Sequence, residues 1–341
     1  MSAPLVSIIL PCYNSADFLA ATLASLSAQT ESDFECIAID DGSSDRTLQL
    51  LNAHAATDAR FSVISRANRG LIATLNEGIA AARGTWIARM DADDIAHPQR
   101  LQKQLAALAQ AGADVCGVGV RFIGGRTGLW LPPTGDAALK AALLFNPPFA
   151  HPGVMARASL FKHHGYDAAA PHAEDYALWC AFACAGARFT AVAEALLDYR
   201  IHAGQITQTR RDELAATARA VRSAYALHAL PANWPDADKR RFASHASPEQ
   251  PLDVAQWREL GHALLALAQQ DPALAPAFAS AWIDALVRTA GVGPACLRLF
   301  RQLGTAFPPP ADEYAKWRRQ QLRVLIGDTV YQWAKRWRRQ A

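Results

Sequence analysis

Leu5-Val6-Ser7-Ile8-Ile9-Leu10-Pro11-Cys12-Tyr13-Asn14 passes from a branched apolar run straight into polar residues. The run Val6 to Leu10 lacks clean alternation, which suits a parallel strand covered on both faces. Asn14 and Ser15 then offer N-caps for a helix through Leu19, Leu23 and Leu26. The same order repeats downstream. Cys36 to Ile39 predicts a second strand, and Asp41-Gly42-Ser43-Ser44-Asp45 a turn whose last aspartate caps a helix from Thr47. Phe61 to Ile64 predicts a third strand, followed by a helix over Leu71 to Arg83 with Gly84 as its stop. Trp86 to Met90 predicts a fourth strand that runs directly into Asp91-Ala92-Asp93-Asp94. Pro98 then opens a helix through Leu101, Leu105 and Leu108.

Alternation of this kind argues for an open, mostly parallel α/β sheet. In such sheets ligands sit beyond the carboxyl ends of the strands. Tyr13-Asn14, Asp40-Asp41 and Asp91 to Asp94 all fall there. From about residue 210 the chain becomes rich in alanine and leucine and reads as helical, interrupted at Pro231, Pro235, Pro248, Pro251 and Pro308 to Pro310. The expected division is therefore an α/β domain over residues 1–209 and a helical region over 210–341.

Composition narrows the classes. A chain of 341 residues with 51% hydrophobic residues can bury one large core, or one core and a smaller one. A net charge of +3 argues against a protein that coats nucleic acid. The first apolar run is short and has no basic residues before it, unlike a signal peptide. No window reaches the ~20 apolar residues needed to span a bilayer. A cytoplasmic location is expected. The six cysteines are dispersed without a C-x-x-C pair, so buried free thiols are expected. Cys180 and Cys184 are spaced to share a helix face, but no zinc signature accompanies them.

Four clusters carry chemistry. Asp91 and Asp93 are hard oxygen ligands at a strand end, suited to Mg²⁺ or Mn²⁺. Such a cation neutralises a departing diphosphate. The same tripeptide also reads as an acidic turn capping the next helix. Asp40-Asp41-Gly42-Ser43 reads either as an Asx turn or as an acceptor for a base N–H or ribose hydroxyls. Arg66-Ala67-Asn68-Arg69-Gly70 before a helix reads as a phosphate contact or as a solvated basic loop. Glu174-Asp175 opens a helix carrying Leu178, Trp179 and Phe182. Acids there favour the helix dipole, and one of them also suits a general base.

Taken together, Pro11-Cys12-Tyr13-Asn14, Asp40 to Asp45, Asn68-Arg69-Gly70, Asp91 to Asp94, His151-Pro152 and Glu174-Asp175-Tyr176-Ala177-Leu178-Trp179 resemble glycosyltransferase family 2 in order and separation. The resemblance covers roughly Leu5 to His202. It implies the Rossmann-like GT-A fold: an open mixed sheet flanked by helices, here followed by a mostly α-helical C-terminal region. It also implies a nucleotide-sugar donor, with UDP as the nucleotide, and inversion at the transferred sugar. By the same resemblance, Pro11, Tyr13, Asn14 and Asp41 line the nucleoside pocket, with Arg66 and Asn68 near the ribose or diphosphate. Asp91 approaches the ribose and metal, Asp93 is the principal metal ligand, and Asp175 is the catalytic base with Glu174 beside it. His151 borders the acceptor. His202 reads as a metal or diphosphate contact, or equally as an ordinary surface or core histidine.

The lack of a Q-x-x-R-W motif after the base, and of membrane spans, points to transfer of a single sugar. The expected acceptor is a glycan or lipid-linked glycan of the cell surface. Competing readings are a sugar-phosphate nucleotidyltransferase and a non-catalytic nucleotide-sugar binding protein. The first normally has a Gly-rich basic loop where Pro11-Cys12-Tyr13-Asn14 stands; the second would not need intact acidic clusters. The C-terminus interleaves tryptophans with arginines and lysines. It reads either as an amphipathic helix on the inner face of the plasma membrane or as a terminal helix packed on the protein, with Gly327 and Asp328 breaking it in two.

Overall fold

The computed structural model describes residues 3–202, 211–248, 250–310 and 313–340. The boundary expected between residues 209 and 210 lies outside them. The chain divides into two compact units, one of residues 1–139 with 147–221 and one of residues 140–146 with 222–341.

In the first unit β1 (Val6–Cys12), β2 (Phe34–Asp40), β3 (Phe61–Ser65) and β4 (Trp86–Arg89) pair in parallel in the order β3-β2-β1-β4. Every residue of β1 and β2 is buried, as expected of strands covered on both faces. The intervening helices are α1 (Ala16–Ser27), α2 (Thr47–Ala55), α3 (Leu71–Ala81) and, after β4, α4 (Arg100–Ala111). Val6, Ile8, Leu10 and Cys12 join Leu19, Leu23 and Leu26 of α1, Leu51 of α2, and Leu101 and Leu108 of α4 in one apolar cluster. Gly78 of α3 instead sits against Ile9 and Ile39, where an added Cβ would come within 2.6 Å of Ile9. The two-residue period of the strands thus sorts the helices onto two faces.

Past β4 the sheet is mixed. It adds β5 (Ile95–Ala96), β6 (Val115–Gly124), β7 (Gly128–Trp130), β8 (Met155–Arg157) and β9 (Phe189–Ile201). The order continues β4-β8-β6-β9-β5, with β7 on β6. β8 runs antiparallel to β4 and β6, β5 antiparallel to β9, and β6 parallel to β9. The parallel pairing read from the alternation therefore holds throughout the first four strands, and beyond them between β6 and β9 alone. Beyond them strands no longer alternate singly with helices: α5 (Asp136–Ala142) precedes β8, and α6 (Ala158–His164) and α7 (Glu174–Cys184) both fall between β8 and β9.

Several helix ends differ from expectation. Ser15 does not cap α1 with its side chain; its hydroxyl donates to the Tyr13 carbonyl (3.2 Å). The Ala16 amide donates instead to Asp45 Oδ2 (3.0 Å), while Asp45 Oδ1 accepts from the Thr47 amide (2.9 Å). One aspartate serves the first amides of two helices. α3 stops at Ala81 with Ala82 already extended, so Gly84 is not its stop. The Gly84 amide donates to the buried Ser7 hydroxyl (2.8 Å), tying the entry to β4 against β1. All six cysteines are free; Cys180 is buried while Cys184, four residues on at the end of the same helix, is exposed.

In the second unit α8 (Arg211–Ala229), whose last residues belong to it, is followed by α9 (Asp236–Ala246), α10 (Val254–Gln270), α11 (Ala275–Val287), α12 (Leu297–Ala306), α13 (Tyr314–Ile326) and α14 (Asp328–Gln340). The prolines noted above fall between these helices. Trp257, Trp282, Phe278, Phe300 and Phe307 are fully buried at the centre. The tryptophan N–H groups donate to the Trp282 and Phe307 carbonyls at 3.4 and 3.3 Å. Gly327, with φ of 82°, separates α13 from α14, as the sequence predicts. Among the described residues no helix is long and apolar enough to cross a membrane.

Candidate active site

β1, β2 and β4 are parallel neighbours, so their carboxyl ends share one sheet edge. Pro11 lies buried in β1; Tyr13 is exposed, and Asn14 takes the left-handed conformation with φ of 48°. The Asn14 amide donates to Ser43 Oγ (3.0 Å), and its Oδ1 accepts from the Ser44 amide (2.9 Å). That exchange ties the loop after β1 to the loop after β2. Gly42, at φ of 74°, lets the second loop press on a third: a Cβ there would lie 2.6 Å from the Asn68 amide nitrogen.

Asp41 is buried beneath these loops and accepts from the Arg69 amide (2.8 Å) and the Gly70 amide (2.9 Å). It also pairs with Arg66, which pairs in turn with Glu77 and donates to Thr74 Oγ1 (2.9 Å). Arg66 is thus a brace between the loop and α3, not part of a solvated basic surface. Asn68 and Arg69 are exposed at the rim.

The loop after β4 is wired on every side. Thr22 Oγ1 of α1 sits 3.0 Å from the Ala92 carbonyl and 2.8 Å from that of Asp94. Arg200 of β9 donates its amide to Asp94 Oδ1 (2.8 Å) and its Nε to the Asp93 carbonyl (2.8 Å). His202 Nε2 lies 2.9 Å from Asp93 Oδ2, so the histidine does meet the acidic group. Arg100 of α4, itself fully buried, donates to the Arg89 carbonyl at the end of β4 (2.7 Å). The result is a rigid loop with three carboxylates whose oxygens, from Asp91, Asp93 and Asp94, lie within 4.8 Å of one another.

That arrangement fits a hard cation. Burial first, and then the Asp91 charge, pushes the Asp93 and Asp94 carboxyls above their ordinary range. Asp94 Oδ2 is buried and has no hydrogen-bond partner among the described residues. Three crowded oxygens with an orphaned buried acceptor are the donor set that a divalent ion would satisfy.

Arg89 lies underneath. It is buried at the end of β4 and pairs with Asp91. Burial works against its charge, but Asp91 and the neighbouring groups outweigh it and hold the guanidinium above its usual pKa. Its charge is also felt by Glu174, Asp175, His151 and Tyr166. His151 Nε2 and Tyr166 Oη share a hydrogen bond of 2.6 Å. Burial, with Arg89 second, pulls the imidazole well below its ordinary value, so His151 is neutral. Asp175 opens α7 half-buried, and burial followed by the Glu174 charge raises it to about 7. Glu174 is buried and raised as well. Tyr166 feels both Asp175 and Asp91. The carboxylate triad and the Glu174-Asp175 pair thus share Arg89 and Tyr166 as neighbours.

Residues 7–166 match the model of the family Glycosyl transferase family 2. An uncharacterized glycosyltransferase of Haemophilus influenzae is 31% identical over 239 residues, covering 65% of this chain and 73% of that protein. The chain belongs to glycosyltransferase family 2. A further relative, the succinoglycan biosynthesis protein ExoO of Rhizobium meliloti, is 30% identical over 249 residues, covering 67% of this chain and 70% of that one. The crystal structure of S. aureus TarS, residues 1–349 with UDP-GlcNAc, superposes with a TM-score of 0.57 at 18% identity, over 93% of this chain and 90% of that one. The family 2 enzyme therefore has the GT-A fold, and it is a glycosyltransferase.

Residues of this site that sequence reasoning did not single out include Thr22, Arg89, Arg100, Tyr166 and Arg200. Arg89 had a signal, since a charged residue inside a strand buried on both faces demands a partner. Thr22 looked like one more position on an amphipathic helix. Tyr166 and Arg200 act through contacts distant in sequence, which spacing does not reveal.

Proposed function

We propose that this family 2 enzyme transfers one sugar, with inversion, from a UDP-sugar to a hydroxyl of a glycan or lipid-linked glycan acceptor. One observation carries the reading: a carboxylate triad suited to a cation stands near a separate carboxylate whose pKa is raised to about 7. A transferase that works by single displacement needs two such groups in different electrostatic states.

The residues divide the work. Asp41 offers buried oxygens to the base, and Pro11, Tyr13, Asn14 and Asn68 form the walls of the nucleoside pocket. Asp91, Asp93 and Asp94 would hold Mn²⁺ or Mg²⁺, with His202 orienting Asp93. A cation bound there supplies positive charge to the diphosphate as it departs. Asp175 takes the proton from the acceptor hydroxyl as that oxygen bonds to the anomeric carbon. The bond from the anomeric carbon to the diphosphate oxygen breaks, and its electron pair leaves with the nucleoside diphosphate. Glu174 keeps Asp175 basic enough to act, and neutral His151 borders the acceptor. The role of ExoO in succinoglycan biosynthesis supports a polysaccharide or its precursor as the product. Cytoplasmic placement belongs to the same reading, since an activated donor is the substrate.

The test is incubation with UDP-, GDP- and dTDP-sugars and Mn²⁺. Release of UDP from a UDP-sugar, lost in Asp93→Ala, is expected. Release of pyrophosphate from a nucleoside triphosphate plus sugar phosphate would overturn the proposal, as would a product that keeps the donor's anomeric configuration.

A further inference from the structure

The last two helices carry a surface that their own unit leaves uncovered. α13 buries Gln320, Arg323 and Val324. Arg323 donates to the Leu286 carbonyl (2.9 Å) and to Asp328 Oδ1 (2.8 Å), which fixes the helix and the start of α14 in place. Other residues of the same helices are turned to solvent. Leu322, Leu325 and Ile326 are 48%, 47% and 37% exposed, and beyond Gly327 Val330 and Trp333 are 52% and 68% exposed. Leu322, Leu325 and Ile326 follow i, i+3, i+4 spacing, and Val330 and Trp333 follow i, i+3, so each helix presents a stripe. Scattered exposed apolar residues are normal on a monomer, but a run of large ones grouped in so short a segment marks a contact surface.

Charge identifies the contact. Residues 314–340 contain eight basic side chains and one acid, Asp328. Lys316 pairs with Asp284, and Arg323 with Asp328. Arg318, Arg319 and Lys335 are exposed on the helices that carry the stripes. Apolar side chains and a tryptophan bordered by flexible bases match the boundary of an anionic bilayer, where the rings and aliphatic groups enter and the bases stay among headgroups. A second copy of this chain would bring like charges together and is disfavoured. We propose that α13 and α14 dock on an anionic lipid surface, with Leu322, Leu325, Ile326, Val330 and Trp333 inserted at the acyl boundary.

This is independent of the transferase chemistry and is tested without it. The full chain is floated with vesicles of phosphatidylcholine alone and of phosphatidylcholine mixed with phosphatidylglycerol. Flotation with the mixed vesicles, little with the neutral ones, and a decline as salt rises are expected. Removing two bases as Arg318→Gln with Arg319→Gln lowers partitioning about thirtyfold, at about one headgroup-level charge each. Leu325→Ser with Trp333→Ser lowers it at least about tenfold. All four positions are exposed, so circular dichroism and the urea midpoint stay unchanged and report on folding. Equal flotation with both vesicle types, or none, overturns the proposal. So does sedimentation showing a dimer that Trp333→Ser dissociates while vesicles are ignored, which would make the face a protein interface.

Discussion

Asp175 holds a charge in a place that resists it, and that tension is what a base needs. A carboxyl raised from its ordinary range to about 7 keeps a large neutral fraction at neutral pH, and its conjugate base is strong enough to take a hydroxyl proton. The rate should therefore rise with pH through about 7 and level off above it, read as kcat/KM at saturating metal. Asp175→Asn should bind UDP normally and lower turnover by ~10²–10⁴-fold. Normal turnover would remove the residue from its role. The same shift affects stability. The folded protein binds this proton more tightly than the unfolded chain, so the contribution is present in full at acid pH and is lost as pH rises through 7. Asp175→Asn should consequently unfold at higher urea than the parent at pH 8, with the difference shrinking at pH 4. Arg89 acts in the opposite sense on the same carboxyl. Arg89→Met removes a positive neighbour, so the rising limb of the rate profile should move to higher pH. A limb that stays in place would show that Arg89 serves Asp91 alone.

At the level of elements, the half of the sheet that ends in the Asn14, Asp41 and Asp91 loops could be read before the structure, and the other half could not. β1, β2 and β4 are short, largely buried runs and β3 is a short, partly exposed one, each separated from the next by one amphipathic helix, so length and flanking turns sufficed. β6, β8 and β9 follow no such rhythm. β9 spans Phe189–Ile201 and carries Glu194, Asp198 and Arg200 among its apolar residues, so it lacks the continuous run of a buried strand. Yet β9 supplies Arg200 and leads to His202, which is why the acidic loop was legible as a motif but its supports were not. Loop contacts were hidden for a similar reason. Asp45 bonding to Ala16 and Gly42 abutting Asn68 are contacts across loops, invisible to local spacing. Gly42→Ala tests how closely those loops must approach. Its φ of 74° disfavours alanine by about 1–2 kcal/mol, and its Cβ would strike backbone. A lower urea midpoint together with weaker UDP binding is expected. A variant that binds UDP as the parent does would show that the two loops part without consequence.

For the whole molecule, every residue assigned to donor, cation and base lies in the unit of residues 1–139 and 147–221. The second unit has its own core around Trp257 and Trp282, whose two indole N–H groups bond to carbonyls within it. A ligand can stabilise only what it touches or what unfolds with it, so the two units should answer differently to the same donor. UDP with Mn²⁺ at about one hundred times its dissociation constant adds about 2.7 kcal/mol to the state that binds it. Hydrogen exchange resolves where that energy appears. Peptides over residues 11–15, 40–45, 66–70 and 91–94 should slow on addition of UDP and Mn²⁺, while those over 254–306 should not. Asp93→Ala should erase the change that depends on metal. Slowing that spreads equally into 254–306 would mean that the helical unit is thermodynamically part of the donor site. Its tryptophan core would then be a support for catalysis and not a separate fold.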